Sequence, residues 1–581
     1  MDKLERHFWR EAATRRLAQA GGALPTARGI HQFIGDMGHS FCVAPTRAGK
    51  TRWSEWLLLN ASALPFPVTS IYFDPHGHSS LELLSHFGRM GRLNDVVWID
   101  PAESHRFLSY NPVAHDPTQE AGTRAAAKTS ALLMAQGLSE TESIDVMPTI
   151  RQVYSMMFQG LIETGLTLQE AMYLTASHDE PLRAVIADRI KTPYIKSFWE
   201  GIDNRKPSER DRLLRIVQAR LHTFWATPQL QRVTGQRTNS LDMASLINSG
   251  KTIIVKSQPY RSLTPEDTRL LMALLLEDII ATVFSRAPGS GTPVLLVIDE
   301  LGDRICGPDV AKAFRGSLKY RMQTAVSTQS LSSLYDKQPE LAREVMTNCT
   351  TKILFQDGAV EDLELLAKEF ALETLDFNAV KDEIVQTKFW PHETKRRIDS
   401  YSEGYGSSSG SSSSDSTSAG ESFIPIEYGF VDEELVGMSN ANMQMWGVSE
   451  SQSSFHGSSS SEVPFYEMIP FKEVSSRTFR DWQEQLAMCM QKLKALEARH
   501  MAIKQRGKSM RIVKVPYWPD VRISDKELGG YLLQVLEKSP FYGTLEEIEA
   551  EKATRLAKLQ SSKSNETLQS PTESKDEAIE W

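Results

Sequence analysis

The sequence predicts an α/β fold with a mostly parallel sheet, interrupted by an all-helical insertion and followed by a flexible Ser-rich C-terminal region. Three observations predict it. Seven short apolar runs alternate with helical periodicity, as strands covered on both faces should. The first run ends in a glycine-lysine-threonine turn of the kind that wraps a phosphate. Between the third and fourth runs, residues 116–250 hold almost no β-rich segment but many i, i+3, i+4 apolar repeats.

The elements follow in chain order. Residues 1–28 read as an amphipathic helix, with Arg6, Arg10, Arg15 and Arg16 opposite Leu4, Phe8, Trp9, Ala13 and Leu17, suited to packing on the body, a partner or a membrane surface. The α/β part takes residues 29–115 and 251–397. Its expected strands are Phe41 to Ala44, Ile71 to Phe73, Val96 to Ile99, Ile253 to Val255, Val294 to Ile298, Thr324 to Val326 and Ile353 to Phe355. Residues 116–250 form the inserted all-helical domain, typified by Ile150, Val153, Tyr154 and Met157. Residues 398–471 carry two serine tracts, Ser402 to Ser422 and Ser449 to Ser461, too poor in apolar side chains to repay ordering, and read as flexible linkers. Residues 472–541 are helical or mixed, with a helix expected over Ser476 to Lys504. Residues 542–581 are rich in Glu, Lys and Ser and read as a frayed helix running into a flexible tail.

Composition narrows the function. The chain has 581 residues and a net charge of −9, room for three or four domains. Its most apolar helical stretch, Leu270 to Phe284, is interrupted by Glu277 and Asp278, and no uncharged run is long enough to cross a bilayer. The N-terminus lacks a secretory h-region, so a cytoplasmic location is expected. Cys42, Cys306, Cys349 and Cys489 lie far apart without a paired or His-flanked spacing, and read as buried thiols. Ile398 to Phe471 holds eleven acidic and no basic residues, and Phe541 to Trp581 nine acidic against five basic, which leaves the body at about +6. An acidic total therefore does not exclude a nucleic-acid partner.

Three motifs carry chemistry. Ala44-Pro45-Thr46-Arg47-Ala48-Gly49-Lys50-Thr51 matches a phosphate loop, with Ala44 in place of the first glycine. Gly49 permits close backbone approach, Lys50 neutralises β and γ oxygens, and the Thr51 hydroxyl ligates Mg2+. Val294 to Ile298 delivers Asp299 and Glu300 to the carboxyl edge of the sheet, where Asp299 holds Mg2+ and Glu300 activates water. Thr324 to Ser330 places Gln329 at a third strand end, beside the γ-phosphate. Asp74-Pro75-His76-Gly77 ends the second strand, either as a turn or as part of the water network. In the helical insertion, Lys191, Lys196, Phe198, Trp199, Arg205, Lys206, Arg210, Arg212, Arg215 and Arg220 read either as a phosphate-binding path or, with Asp203, Glu209 and Asp211 among them, as a salt-bridged face.

APTRAGKT, YFDPHGHSS, VVWIDP with YNPV, INSGKTIIVKSQP, LLVIDEL, AVSTQSL and NCTTKILF occur in one order over Phe33 to about Phe370. In that order they resemble the HerA/FtsK superfamily of motor ATPases, most closely the TraG/TraD-like conjugative coupling proteins of type IV secretion. The resemblance implies a RecA-like P-loop NTPase that uses ATP and Mg2+ and assembles as a homohexamer. It implies translocation of DNA, or of a relaxase–DNA substrate, toward secretion channel proteins, with the helical insertion contacting DNA or relaxase. Such proteins mostly begin with transmembrane helices. Here membrane contact falls to the N-terminal helix or to a partner. Arg315 and Arg321 are the candidates for a trans-acting arginine. A protein-directed secretion ATPase of the same superfamily and a nucleotide-binding, non-catalytic docking adaptor are the alternatives.

Overall fold

The computed structural model describes residues 38–64, 66–137, 147–178, 180–238, 240–259, 261–302, 308–356, 358–372, 376, 378–406, 416–421, 438–443, 453–514 and 523–567. The expected N-terminal helix and Cys306 lie outside the described residues. Two compact units are present, residues 377–480 and the rest.

In the larger unit all seven expected strands form, as β1 (His39–Val43), β2 (Thr69–Asp74), β3 (Val96–Ile99), β5 (Thr252–Lys256), β6 (Val294–Ile298), β7 (Met322–Thr328) and β8 (Cys349–Phe355). Every pairing among these seven strands is parallel. Two C-terminal strands, β13 (His500–Gln505) and β14 (Arg511–Lys514), extend the edge in antiparallel sense, giving the order β14-β13-β8-β1-β7-β6-β2-β5-β3. Phe41, Ile71, Phe73, Leu296 and Val297 are fully buried, which is why these strands read as unbroken apolar runs. Helices α1 (Lys50–Ser62) and α2 (His78–Arg89) follow β1 and β2.

After β3 and the two-residue β4 (Phe107–Leu108), eight helices lie among the described residues between Ala121 and Ile247: α3 (Ala121–Ala135), α4 (Met147–Thr164), α5 (Ala171–Leu174), α6 (Pro181–Asp188), α7 (Pro193–Asp203), α8 (Pro207–Ala226), α9 (Pro228–Thr234) and α10 (Met243–Ile247). Four of them begin with proline at the first turn, where the missing N–H is no loss. The next helix, α11 (Pro265–Phe284), contains the apolar stretch noted above and is buried nearly all round. Its Asp278 is tolerated there because Arg124 (3.0 Å), Lys128 (2.6 Å) and the Tyr110 hydroxyl (2.6 Å) surround it, tying α3 to α11. No described helix is long and apolar enough to cross a membrane.

Helices α12 (Pro308–Phe314), α13 (Leu331–Lys337), α14 (Pro339–Asn348) and α15 (Val360–Ala371) complete the first pass of the chain through this unit. The C-terminal part departs from the sequence reading. The helix expected over Ser476 to Lys504 is confined to α16 (Trp482–Lys494), because Asp481 and Glu484 close a capping box at its start and His500 onward joins the sheet. Helix α17 (Asp525–Lys538) packs on α2. Residues 542–567 are not a frayed tail. β15 (Tyr542–Gly543) pairs with β4, and α18 (Leu545–Thr567) docks on the helical insertion. Arg555 fixes it, giving hydrogen bonds to Glu170 (2.9 Å) and the Gly235 carbonyl (2.8 Å), with Leu559 buried alongside.

The second unit corrects the linker reading. β9 (Val380–Gly406) and β12 (Ser453–Phe479) pair antiparallel as a long ribbon, and β10 (Ser416–Glu421) pairs with β11 (Met438–Met443). The described serine-rich residues at 402–406, 416–421 and 453–461 therefore lie on strands. There they are joined by cross-strand pairing, which draws on backbone groups that every residue type supplies.

Candidate functional site

The site forms at the carboxyl ends of β1, β6, β7 and β2. The loop after β1 turns at Arg47 (φ 67°) and Gly49 (φ 120°). The positive φ calls for glycine at position 49, and a Cβ there would also press on the Phe355 ring at 3.1 Å. Gly49 is also the N-cap of α1 and offers no side chain to its first N–H groups, which leaves them for an anion. Ala44 is fully buried and its N–H donates to the Thr328 carbonyl (3.0 Å), so the methyl group that replaces the usual glycine hydrogen is accommodated.

Lys50 is buried and reaches both acidic residues after β6: its Nζ lies 3.1 Å from Glu300 Oε1 and 3.6 Å from Asp299 Oδ1. Asp299 also accepts from the Ser327 hydroxyl at 2.5 Å. Burial pushes its pKa up against the opposing charge of Lys50. Glu300 stands at φ 57°, a strained left-handed conformation for a non-glycine residue and a recurrent mark of functional positions. Burial alone would raise the Glu300 pKa. Hydrogen bonds from His76, Lys50 and Gln329, with the Lys50 charge, instead lower it to about 2. Gln329 donates through Nε2 to Glu300 Oε1 and accepts from the Thr46 hydroxyl (3.2 Å), linking the phosphate loop to the end of β7. A cavity of about 310 Å³ opens beside Glu300 and Gln329, lined also by Gly302, Ser330, Ser333 and Lys337.

The structure thus brings together Lys50, Asp299, Glu300, Gln329 and the loop Ala44 to Thr51. Arg315 and Arg321 are not part of it. Arg315 is exposed and pairs with Glu344, while Arg321 precedes β7, at the opposite end of the strand from Gln329, and donates to the Gly291 carbonyl (2.9 Å). Asp74 is fully buried and builds a turn, accepting from the His76 N–H (2.9 Å) and from the Ser80 N–H (2.7 Å) and hydroxyl (2.8 Å). The residue that the sequence undervalued is His76, whose Nε2 lies 2.6 Å from Glu300 Oε2. In the helical insertion, Trp199 and Arg210 are buried, the latter bonded to the Ser177 carbonyl (2.9 Å), which removes both from any surface path. Cys42, Cys349 and Cys489 are buried free thiols.

The residues fit a nucleotide with a divalent ion. Thr51 and Asp299 supply hard oxygen ligands of the kind Mg2+ prefers, with phosphate and water completing its shell. The uncapped α1 N-terminus and Lys50 supply positive potential for phosphate.

A parallel sheet whose phosphate-loop strand β1 is separated by one strand, β7, from the strand that ends in Asp-Glu defines a RecA-like P-loop NTPase fold. Residues 293–425 match the family model of the TraM recognition site of TraD and TraG, and the chain resembles the coupling-protein branch of the motor ATPases, as its motifs indicated. The solved structures it resembles include the bacterial conjugative coupling protein TrwBdeltaN70 in an unbound form, at 11% identity over 84% of this chain and 87% of that one, with a TM-score of 0.48. The plasmid coupling protein TrwB with a non-hydrolysable ATP analogue gives 12% identity over 84% and 88%, with a TM-score of 0.48. VirB4 of Thermoanaerobacter pseudethanolicus gives 17% identity over 60% and 85%, with a TM-score of 0.39. No curated protein sequence matches the chain. At these identities and TM-scores the functional reading comes from this chain's own residues.

Proposed function

We propose that the chain is a motor ATPase of the conjugative coupling type, which as a homohexamer moves DNA or a relaxase–DNA substrate toward a secretion channel. The observation that carries the chemistry is Lys50 held against Asp299 and Glu300 beneath an uncapped helix N-terminus. Lys50 exchanges its carboxylate partners for β and γ oxygens, and the backbone N–H groups around Gly49 take the remaining phosphate charge. Thr51 and Asp299 hold Mg2+, which supplies charge neutralisation when bound. Glu300, relieved of Lys50, orients and deprotonates the attacking water, while Gln329 senses the γ-phosphate.

Exposed Lys191, Arg205, Lys206, Arg212 and Arg215 on the helical insertion are the candidates for phosphate contacts with DNA. The match over residues 293–425 supports a TraM-like partner protein for that part of the chain. Membrane contact is assigned to the N-terminal segment or to a partner.

The test is steady-state ATP hydrolysis with and without single- and double-stranded DNA at two salt concentrations. Several-fold stimulation that fades with salt supports the DNA motor. Turnover indifferent to DNA moves the reading to a protein-directed secretion ATPase, and absent turnover with intact ATP binding moves it to a docking adaptor.

A further inference from the structure

We propose that His76 is the positioning residue of the Glu300 carboxylate, fixing which of its two oxygens faces the water. The proposal rests on the hydrolytic role given to Glu300 above. The two oxygens have different partners: Oε1 takes Lys50 (3.1 Å) and Gln329, whereas Oε2 takes the His76 imidazole (2.6 Å). Lys50 and Gln329 both belong to the phosphate side of the site, since Lys50 opens α1 and Gln329 is bonded to Thr46 in the loop. With a nucleotide bound, Lys50 and Gln329 would turn to its phosphates and Oε1 would lose both partners. His76 stands outside that loop, on the turn between β2 and α2, where Asp74 holds its backbone N–H (2.9 Å) while its ring stays on Oε2. Oε1 is therefore the proton acceptor and Oε2 the anchored oxygen.

The need for an anchor follows from the backbone. At Glu300 the main chain is pinned on both sides, by Asp299 N–H to the Phe73 carbonyl (3.1 Å) and Leu301 N–H to the Ser327 carbonyl (2.8 Å). Only the side-chain torsions remain free, and a glutamate that loses its partners recovers rotamer freedom that scatters the reacting oxygen.

The mount for the imidazole is equally specified. Asp74 holds the His76 N–H through Oδ1 and the start of α2 through Oδ2. Gly77 stands at φ 79°, and a Cβ there would come within 2.7 Å of Gln258 Oε1 and 2.8 Å of Lys256 Cε. Lys256 is itself held by Asp100 at 2.8 Å. Asp74, Gly77 and Ser80 thus act together to present one half-exposed ring to Glu300.

Two readouts on the full chain test this. The first is the His76 pKa in the wild type and in Glu300→Gln, read from imidazole C2–H exchange by mass spectrometry and resolved from His78 by fragmentation. A carboxylate partner raises an imidazole pKa, so the value should fall in Glu300→Gln. An unchanged value overturns the contact, and because no turnover is needed, this arm stands even if the chain hydrolyses nothing. The second is the pH profile of ATP turnover in His76→Ala and His76→Gln. His76→Ala should lower kcat by about tenfold to a hundredfold with KM for ATP nearly unchanged, as expected for lost orientation. His76→Gln, which can still donate to Oε2, should recover most of kcat and lose the imidazole limb of the profile. Wild-type kcat and profile in His76→Ala overturn the positioning role.

Discussion

Acidification should loosen the central sheet through one histidine. His39 opens β1 and is almost completely buried, with its ring edge-on to Phe314. Burial lowers its pKa from 6.5 to about 4. The geometry agrees, because Nδ1 accepts the Thr324 N–H at 3.1 Å, and a backbone N–H can only donate. Protonation would set two N–H groups against each other between β1 and β7. The sign follows directly. In the unfolded chain this imidazole gains its proton below about pH 6.5, whereas in the folded chain it does so only near 4, so the unfolded state binds more protons across that window. Stability is therefore full above about pH 6.5 and is lost as pH falls. The complete shift corresponds to about 3 kcal/mol, of which about 2 kcal/mol is spent between about pH 7 and about pH 5. His39→Gln keeps an acceptor for Thr324 but does not titrate. Hydrogen exchange of peptides covering β1 and β7, compared between wild type and variant at each pH, should show the wild type accelerating about thirtyfold more over that interval. Parallel profiles for the two proteins would refute the assignment.

The remaining predictions concern the site and the C-terminal helix. Lys50→Ala should weaken ATP binding by about tenfold to a hundredfold by equilibrium titration, through loss of charged hydrogen bonds to phosphate. Glu300→Gln should keep ATP affinity while cutting turnover about a hundredfold or more, and normal turnover would remove Glu300 from the mechanism. Arg555→Ala leaves buried Glu170 without its guanidinium, at a cost of about 3 kcal/mol, so amides of α18 should exchange about a hundredfold faster.

The seven strands were legible because each is buried on both faces, a pattern that polar alternation cannot blur, and the loop Ala44 to Thr51 was legible because few residue types tolerate its turns. What the residues did not disclose depends on register and long-range contact. His76 meets Glu300 because Phe73 pairs with Ile298, which sets the ends of β2 and β6 side by side, and no spacing within either segment encodes that neighbourhood. Helix α18 looked like a tail because its sequence is dominated by charge, and only the distant Glu170 and Gly235 give Arg555 a seat. The ribbon was hidden by composition: Ser400 faces Ser459 and Ser402 faces Gly457, pairs whose side chains carry no apolar period to read.

The ribbon leaves and rejoins the chain at one point. Val380 pairs with Phe479, and the Arg480 N–H donates to the Ala379 carbonyl at 2.9 Å. On either side of this junction α15 and α16 pack against each other within the larger unit. The parallel sheet therefore makes no demand on the ribbon's length, provided that its two ends stay together. Such a segment is free to grow by matched residue pairs, to drift in sequence, or to be exchanged between related chains, while Lys50, Asp299 and Glu300 keep their places.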